Sequence, residues 1–189
     1  MNSNWMKYLY LVTILFFTLE FFNIVFAWLG FVCLILPFVL LIRDKKKTWC
    51  QRYCPRASLF TVLFKSKSHT GRTTPKWITN GTGKRIFLVY FGINLFVLTM
   101  STIMVALGRI DVVDKVKFLI AFKLPWDVPQ LLNIAFVPNW AVHLSFRIYS
   151  MMFTTTVIGL LFGWIYTPRT WCIICPIGTI SDISLKKSK

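Results

Sequence analysis

The chain has 189 residues, 56% of them hydrophobic and only 15% charged, with a mean hydropathy of +0.64. A soluble domain of this size does not carry such an apolar excess, so the composition points to a membrane protein. The formal net charge is +16, but the basic residues flank apolar runs. Contact with anionic headgroups accounts for them more simply than nucleic-acid binding, which is set aside.

Residues 8–42 hold a single formal charge, Glu20. A span takes about 20 apolar residues. This stretch is too long for one span and predicts two short ones with a tight turn near Asn23. The first of them reads as a transmembrane helix, with an uncleaved signal anchor as the alternative; a cleaved signal peptide fits less well, because no small-residue cleavage site precedes a polar mature chain. Residues 86–107 carry no charge and predict a third span. Residues 148–166 carry none and predict a fourth, closing at Pro168.

Residues 43–85 hold twelve Lys or Arg against one acid, Asp44. The tail adds Arg169, Lys186, Lys187 and Lys189. The loop 109–147 holds five basic residues and three acids. The basic excess sets the orientation: the 43–85 loop, the tail and the N-terminus with Lys7 face the cytoplasm. The segment 65–85, with Gly71, Pro75, Gly81 and Gly83, reads as a basic linker. In the loop 109–147, residues 113–122 are expected to lie along the outer interface. Pro125, Trp126, Pro129, Pro138 and Trp140 predict a rigid, membrane-skimming segment there, or one that re-enters the membrane.

Two cysteine motifs carry the chemistry. The first is Thr48-Trp49-Cys50-Gln51-Arg52-Tyr53-Cys54-Pro55, the second Thr170-Trp171-Cys172-Ile173-Ile174-Cys175-Pro176. Each follows a pair of predicted spans, so the chain reads as a duplicated unit. The prolines suit the first turn of a helix, where the missing N–H costs nothing. A short interfacial helix is therefore expected after each. Either motif alone offers two thiolates; together they offer the four that suit a 4Fe–4S cluster, and a 2Fe–2S centre takes the same number. Helix N-termini and Arg52, Arg56 and Arg169 supply positive charge near such a centre. Trp49 and Trp171 are placed to cover it from water.

Two other chemistries use four cysteines. A structural zinc site takes four thiolates, but zinc knuckles usually sit in polar, soluble modules. A membrane thiol–quinone oxidoreductase would use the cysteines as exchanging pairs. That chemistry belongs to the oxidising side of a membrane, whereas the charge rule places both motifs in the cytoplasm.

The remaining candidates are fewer. Cys33 lies within the second span and reads as a small core residue. Glu20 either faces the bundle interior, where it handles quinol protons, or sits at the hairpin turn in contact with water. His69 and His143 fall in predicted loops, so no span offers histidines for haem. No phosphate loop or catalytic triad is found, and no catalytic residue is named.

At Cys50, Cys54 and Pro55, and at Cys172, Cys175 and Pro176, the chain resembles the NapH/NosR-type membrane 4Fe–4S proteins. Their pattern is two Cys-x3-Cys-Pro motifs at the cytoplasmic face; here the second motif has one residue fewer between its cysteines. Pro176-Ile177-Gly178 resembles the family's Cys-Pro-x-Gly continuation, where the first copy has Arg56-Ala57. The resemblance implies four or more membrane helices and iron–sulfur binding. Many members continue into a ferredoxin domain; this chain stops at Lys189.

The resulting expectation is an all-α, integral membrane four-helix bundle. Two helical hairpins are each followed by a Cys-Pro loop and a short interfacial helix. The parts are 1–64, the linker 65–85, and 86–189 with the outer loop 109–147. Cys50, Cys54, Cys172 and Cys175 bind one cluster, 4Fe–4S or 2Fe–2S, at the cytoplasmic face of a cytoplasmic or inner membrane. Electrons pass between the quinone pool or a membrane flavoprotein and another carrier, with further redox subunits as partners. The rival readings are a thiol–quinone oxidoreductase and an assembly factor holding a structural metal.

Overall fold

The structure is a computed structural model; it describes residues 5–64, 74–79, 81–112, 116–118, 122–123 and 137–187. Among the described residues the regular structure is helical apart from one short ladder. Helix α1 (Trp5–Phe22) is followed by a 3-10 turn (Ile24–Trp28), α2 (Leu29–Asp44), a π turn (Trp49–Tyr53) and α3 (Pro55–Leu63). Then come α4 (Lys76–Thr79), α5 (Thr82–Ala106), strands β1 (Lys117–Phe118) and β2 (Phe122–Lys123), α6 (Asn139–Ile165), α7 (Thr170–Ile174) and α8 (Pro176–Lys187). The strands pair antiparallel, Phe118 opposite Phe122.

The turn expected near Asn23 is there. Asn23 leaves the helical region (φ −156°), and its side chain accepts a 2.8 Å hydrogen bond from the Val25 N–H. This side-chain bond satisfies an orphan donor and restarts the helix. Three helical segments, Ile24–Asp44, Thr82–Ala106 and Asn139–Ile165, are long and apolar enough to cross a membrane; Tyr8–Phe22 is a shorter apolar helix. At 1.5 Å per residue, a 25-residue helix such as α5 is about 37 Å long, more than the roughly 30 Å of hydrocarbon. Ile86, Val89, Ile93, Phe96, Met100 and Ile103 of α5 are exposed. They recur every three or four residues, a continuous apolar face that water would not tolerate.

Helix α6 starts earlier than the charge-free stretch 148–166 implies. It takes in His143 and Arg147, so the placement of His143 in a loop is overturned. The polar side chains are held inside the structure: His143 is fully buried, with Nε2 3.1 Å from Ser101 Oγ of α5. Counting uncharged residues cuts such a helix short. The linker 65–85 also holds helix, since α4 and the first turn of α5 lie in it. Most of 113–136, including Pro125, Trp126 and Pro129, lies outside the described residues, as does His69.

The chain falls into two compact units. One comprises Met1–Thr13, Cys33–Phe91 and Thr156–Lys189; the other comprises Ile14–Val32 and Gly92–Thr155. The first is built on Phe60, Ile78, Trp171 and Ile174, with Phe87, Phe162 and Tyr166 packed against them. The second is built on Ile24, Ala27, Val116, Phe146 and Tyr149, with Phe17 and Phe153 alongside. Glu20 belongs to the second unit and is fully buried, so the reading in which it touches water does not hold. It lies close enough to Tyr149 for the two groups to interact electrostatically.

Candidate metal centre

Both motifs are built the same way, with one difference of register. After α2, Lys45 takes a left-handed backbone (φ 49°) and the chain turns back. A π turn, Trp49–Tyr53, carries Cys50. Cys54 is then extended (φ −72°, ψ 109°), as a residue before proline must be, and Pro55 opens α3. In the second copy an ordinary α turn, Thr170–Ile174, carries Cys172. Cys175 is extended (φ −55°, ψ 127°), and Pro176 opens α8. The expectation of a helix starting at each proline is met.

Each turn is anchored by its tryptophan. Trp49 and Trp171 are both buried, and Trp171 packs edge-on against Phe87 with ring centroids 5.5 Å apart. Buried Thr170 locks the second turn: its Oγ1 accepts from the Thr167 N–H at 3.1 Å and lies 2.9 Å from Thr167 Oγ1.

The rings of Phe60 in α3 and of Phe64 just after it meet α6. A Cβ on Gly159 would collide with the ring of Phe60, and one on Gly163 would come within 2.9 Å of Phe64. Gly159 and Gly163 are spaced four apart, the small-residue pattern that lets apolar helices approach closely. Because Phe60 meets the earlier glycine and Phe64 the later one, α3 runs in the same direction as α6.

The four motif cysteines converge. Cys50 interacts electrostatically with Cys54 and Cys175, and Cys172 with Cys54, Cys175 and Cys50. All are free thiols and half-buried. Burial pushes Cys50 up to about 11, the other thiols add to the shift, and Lys47 opposes it. Burial likewise pushes Cys172 up to about 12, with Arg169 opposing. Cys175 is raised by burial, against the pull of backbone N–H groups of Gly178 and Ile177, which donate to its sulfur, and of Arg56. Those N–H groups are the unpaired donors at the start of α8.

Some neighbours were not foreseen. Lys47 and Asp182 form an ion pair beside the site, and Lys84 is 3.9 Å from the same carboxylate. Arg52, expected near the centre, is exposed and is not among the charges that act on these cysteines. Cys33, expected as a core residue, lies in α2 within electrostatic reach of Cys54 and Arg56. Pro37, one helical turn on, removes the usual donor for the Cys33 carbonyl. Its place four residues after Cys33 is readable in the sequence.

The donor set fits an iron–sulfur cluster: four thiols from two turns, N–H donors on one sulfur, and Arg56 and Arg169 opposing the negative charge. Among the described residues no three His, Cys, Asp or Glu side chains group closely enough to hold a single metal ion. The fit therefore rests on the chemistry of the donors and their mutual proximity.

Residues 26–73 and 149–189 match the family model described as a 4Fe-4S binding domain. The two segments are together less than half of the chain, yet each contains one complete Cys-Pro motif. No curated protein and no solved structure matches the chain. The cofactor that goes with the two matched segments is a 4Fe–4S cluster.

Proposed function

We propose that Cys50, Cys54, Cys172 and Cys175 jointly hold one 4Fe–4S cluster in a four-helix membrane bundle of the NapH/NosR type. The observation that carries this reading is that thiols from both motifs interact with one another across the turns. The bound cluster supplies one-electron transfer. The protein's own groups do the rest. Trp49 and Trp171 exclude water, the α8 N–H groups hold Cys175, and Arg56 and Arg169 favour the more negative, reduced state.

The basic 43–85 segment argues for a cytoplasmic site. One centre cannot carry an electron across roughly 30 Å of bilayer. The protein therefore works with further redox subunits, between the quinone pool or a membrane flavoprotein and a second carrier. A thiol–quinone oxidoreductase needs a thiolate near neutral pH. Thiols raised to about 11 and about 12 are poorly suited to that task.

Iron and sulfide assays on Cys50→Ser and Cys172→Ser test the shared site. Each change alone is expected to remove most of the bound iron. Retention of half the iron after either would mean two separate sites and would overturn the reading.

A further inference from the structure

The two cysteine turns are distant in sequence, and neither contains a group that obviously fixes it against the other. An ion-pair node beside them does. Lys47 pairs with Asp182 of α8, and Lys84 of α5 lies 3.9 Å from the other oxygen of the same carboxylate. All three residues belong to one compact unit. Its stretches of sequence supply only two acids, Asp44 and Asp182, among many lysines and arginines. Asp182 is thus a scarce counter-charge, and it is placed where two basic side chains from different elements meet.

Each partner is tied to a cysteine turn. Lys47 belongs to the first: its carbonyl accepts the Gln51 N–H at 3.2 Å, which fixes it to the backbone that carries Cys50. Asp182 belongs to the second. Cys175, Gly178 and Asp182 follow at spacings of three and four, which places them on one face of the helix that Pro176 opens. That face is turned to the site, since a Cβ on Gly178 would come 3.3 Å from the Cys172 carbonyl oxygen. Lys84 follows Gly83, whose Cβ would lie 3.1 Å from the Ile78 backbone and 3.6 Å from Ile174 Cγ2. The start of α5 is therefore also set closely against the second turn. A partly exposed ion pair adds little to the stability of a whole protein. This one joins one cysteine turn to the helix of the other, and both of its charges act on Cys50.

We propose that Asp182 is a positioning residue of the cysteine site: by holding Lys47 it locks the Cys50 turn onto α8, and Lys84 of α5 braces the same carboxylate. Asp182 acts through the turn and not as a ligand. The proposal rests on the shared-cluster reading, in which the first motif must be held where its thiols meet those of the second. It also has an electrostatic signature. Lys47 and Asp182 act on Cys50 in opposite senses. Loss of either partner leaves the charge of the other unopposed beside the cluster.

The test is iron release to a chelator from the full, cluster-loaded chain in nanodiscs, with a redox titration of the same samples. Asp182→Asn and Lys47→Gln should each release iron about two- to fivefold faster than wild type, the scale of one partly exposed ion pair. The double variant should release it no faster than either single one, because a pair is broken only once. Asp182→Glu keeps the charge and should stay close to wild type. The potential should split in sign: up in Asp182→Asn, where Lys47 is left unopposed, and down in Lys47→Gln. A residue that only supported α8 would not produce that split. Wild-type release in both single variants, additive losses in the double, or potential shifts of one sign would overturn the proposal. Should Asp182→Asn fail to fold, Lys47→Gln decides, because it leaves α8 untouched, and wild-type release there overturns the proposal. Iron content of Cys172→Ser separates this proposal from the reading it rests on. Half the iron retained there overturns the shared cluster, and the positioning role falls with it. Iron lost there, with wild-type release in Asp182→Asn and Lys47→Gln, leaves the shared cluster standing and overturns the positioning role alone.

Discussion

The two Cys-Pro motifs differ by one residue between their cysteines, and the backbone absorbs the difference. Cys50 and Cys54 are separated by Gln51, Arg52 and Tyr53 and bridged by a π turn. Cys172 and Cys175 are separated by Ile173 and Ile174 and bridged by an α turn. A π turn closes i to i+5 and an α turn i to i+4, so one extra residue is accommodated without moving either end. The first turn starts at buried Trp49, the second carries buried Trp171 as its second residue, and both end on an extended cysteine before a helix-opening proline. Spacing in sequence is thus a poor measure of equivalence here; the anchors at the ends of each turn are the better one.

Deleting Gln51 would break that equivalence most severely. Trp49 is held upstream by burial and Cys54 downstream by Pro55 and α3, so the shortened turn must rotate Cys50 by about 100° relative to one of its anchors. Loss of most of the bound iron is expected, with the helical content of the protein retained by circular dichroism. Full iron retention would show that the first motif also closes as an α turn and that the π turn is incidental.

A smaller effect, common to the two motifs, is read by pH. Cluster-free protein should carry both thiols protonated near neutrality, and metal loading should release those protons. The folded-state values are raised above the ordinary cysteine value of about 8.5. Their contribution to stability is therefore fully present below about 8.5. It is lost as pH climbs towards about 11 for Cys50 and about 12 for Cys172. The Tm of the chelator-stripped protein should fall across that alkaline window. A Tm that stays level through pH 11 would contradict the burial that raises both thiols.

Much of this arrangement is legible in the sequence. Long charge-free runs gave three of the helices, Asn23 marked the hairpin turn, and proline after cysteine marked the starts of α3 and α8. What escaped has specific causes. Helix α6 was cut short because His143 and Arg147 interrupt the apolar run, although both lie within it. The packing of α3 on α6 was signalled by Gly159 and Gly163, a pair at helical spacing inside a span, read only as part of an apolar stretch. The π turn leaves no residue-level signature, since Gln51 and Arg52 are exposed and ordinary. Lys47 and Asp182 are distant in sequence, and only the fold pairs them.

The smallest expected effect tests how charge is distributed between the motifs. The sequence offers three arginines, and they are not equivalent. Arg56 is half-buried and opposes the negative charge on Cys175. Arg169 is exposed and acts on Cys172. Arg52 is exposed and is not among the charges that act on Cys50, Cys172 or Cys175. Screening weakens exposed charges, with a Debye length of about 8 Å at physiological salt, and partly buried ones less. Replacing each with Gln should lower the cluster's reduction potential in the order Arg56, then Arg169, with Arg52 leaving it unchanged. For a one-electron couple about 59 mV is a tenfold change in equilibrium, and the Arg56→Gln shift should be of that order or smaller. Redox titration of the three variants, with iron content held constant, measures the order. An Arg52→Gln shift as large as that of Arg56→Gln would mean that the first turn presents its charge to the cluster after all. The two motifs would then be electrostatically alike despite their different backbones.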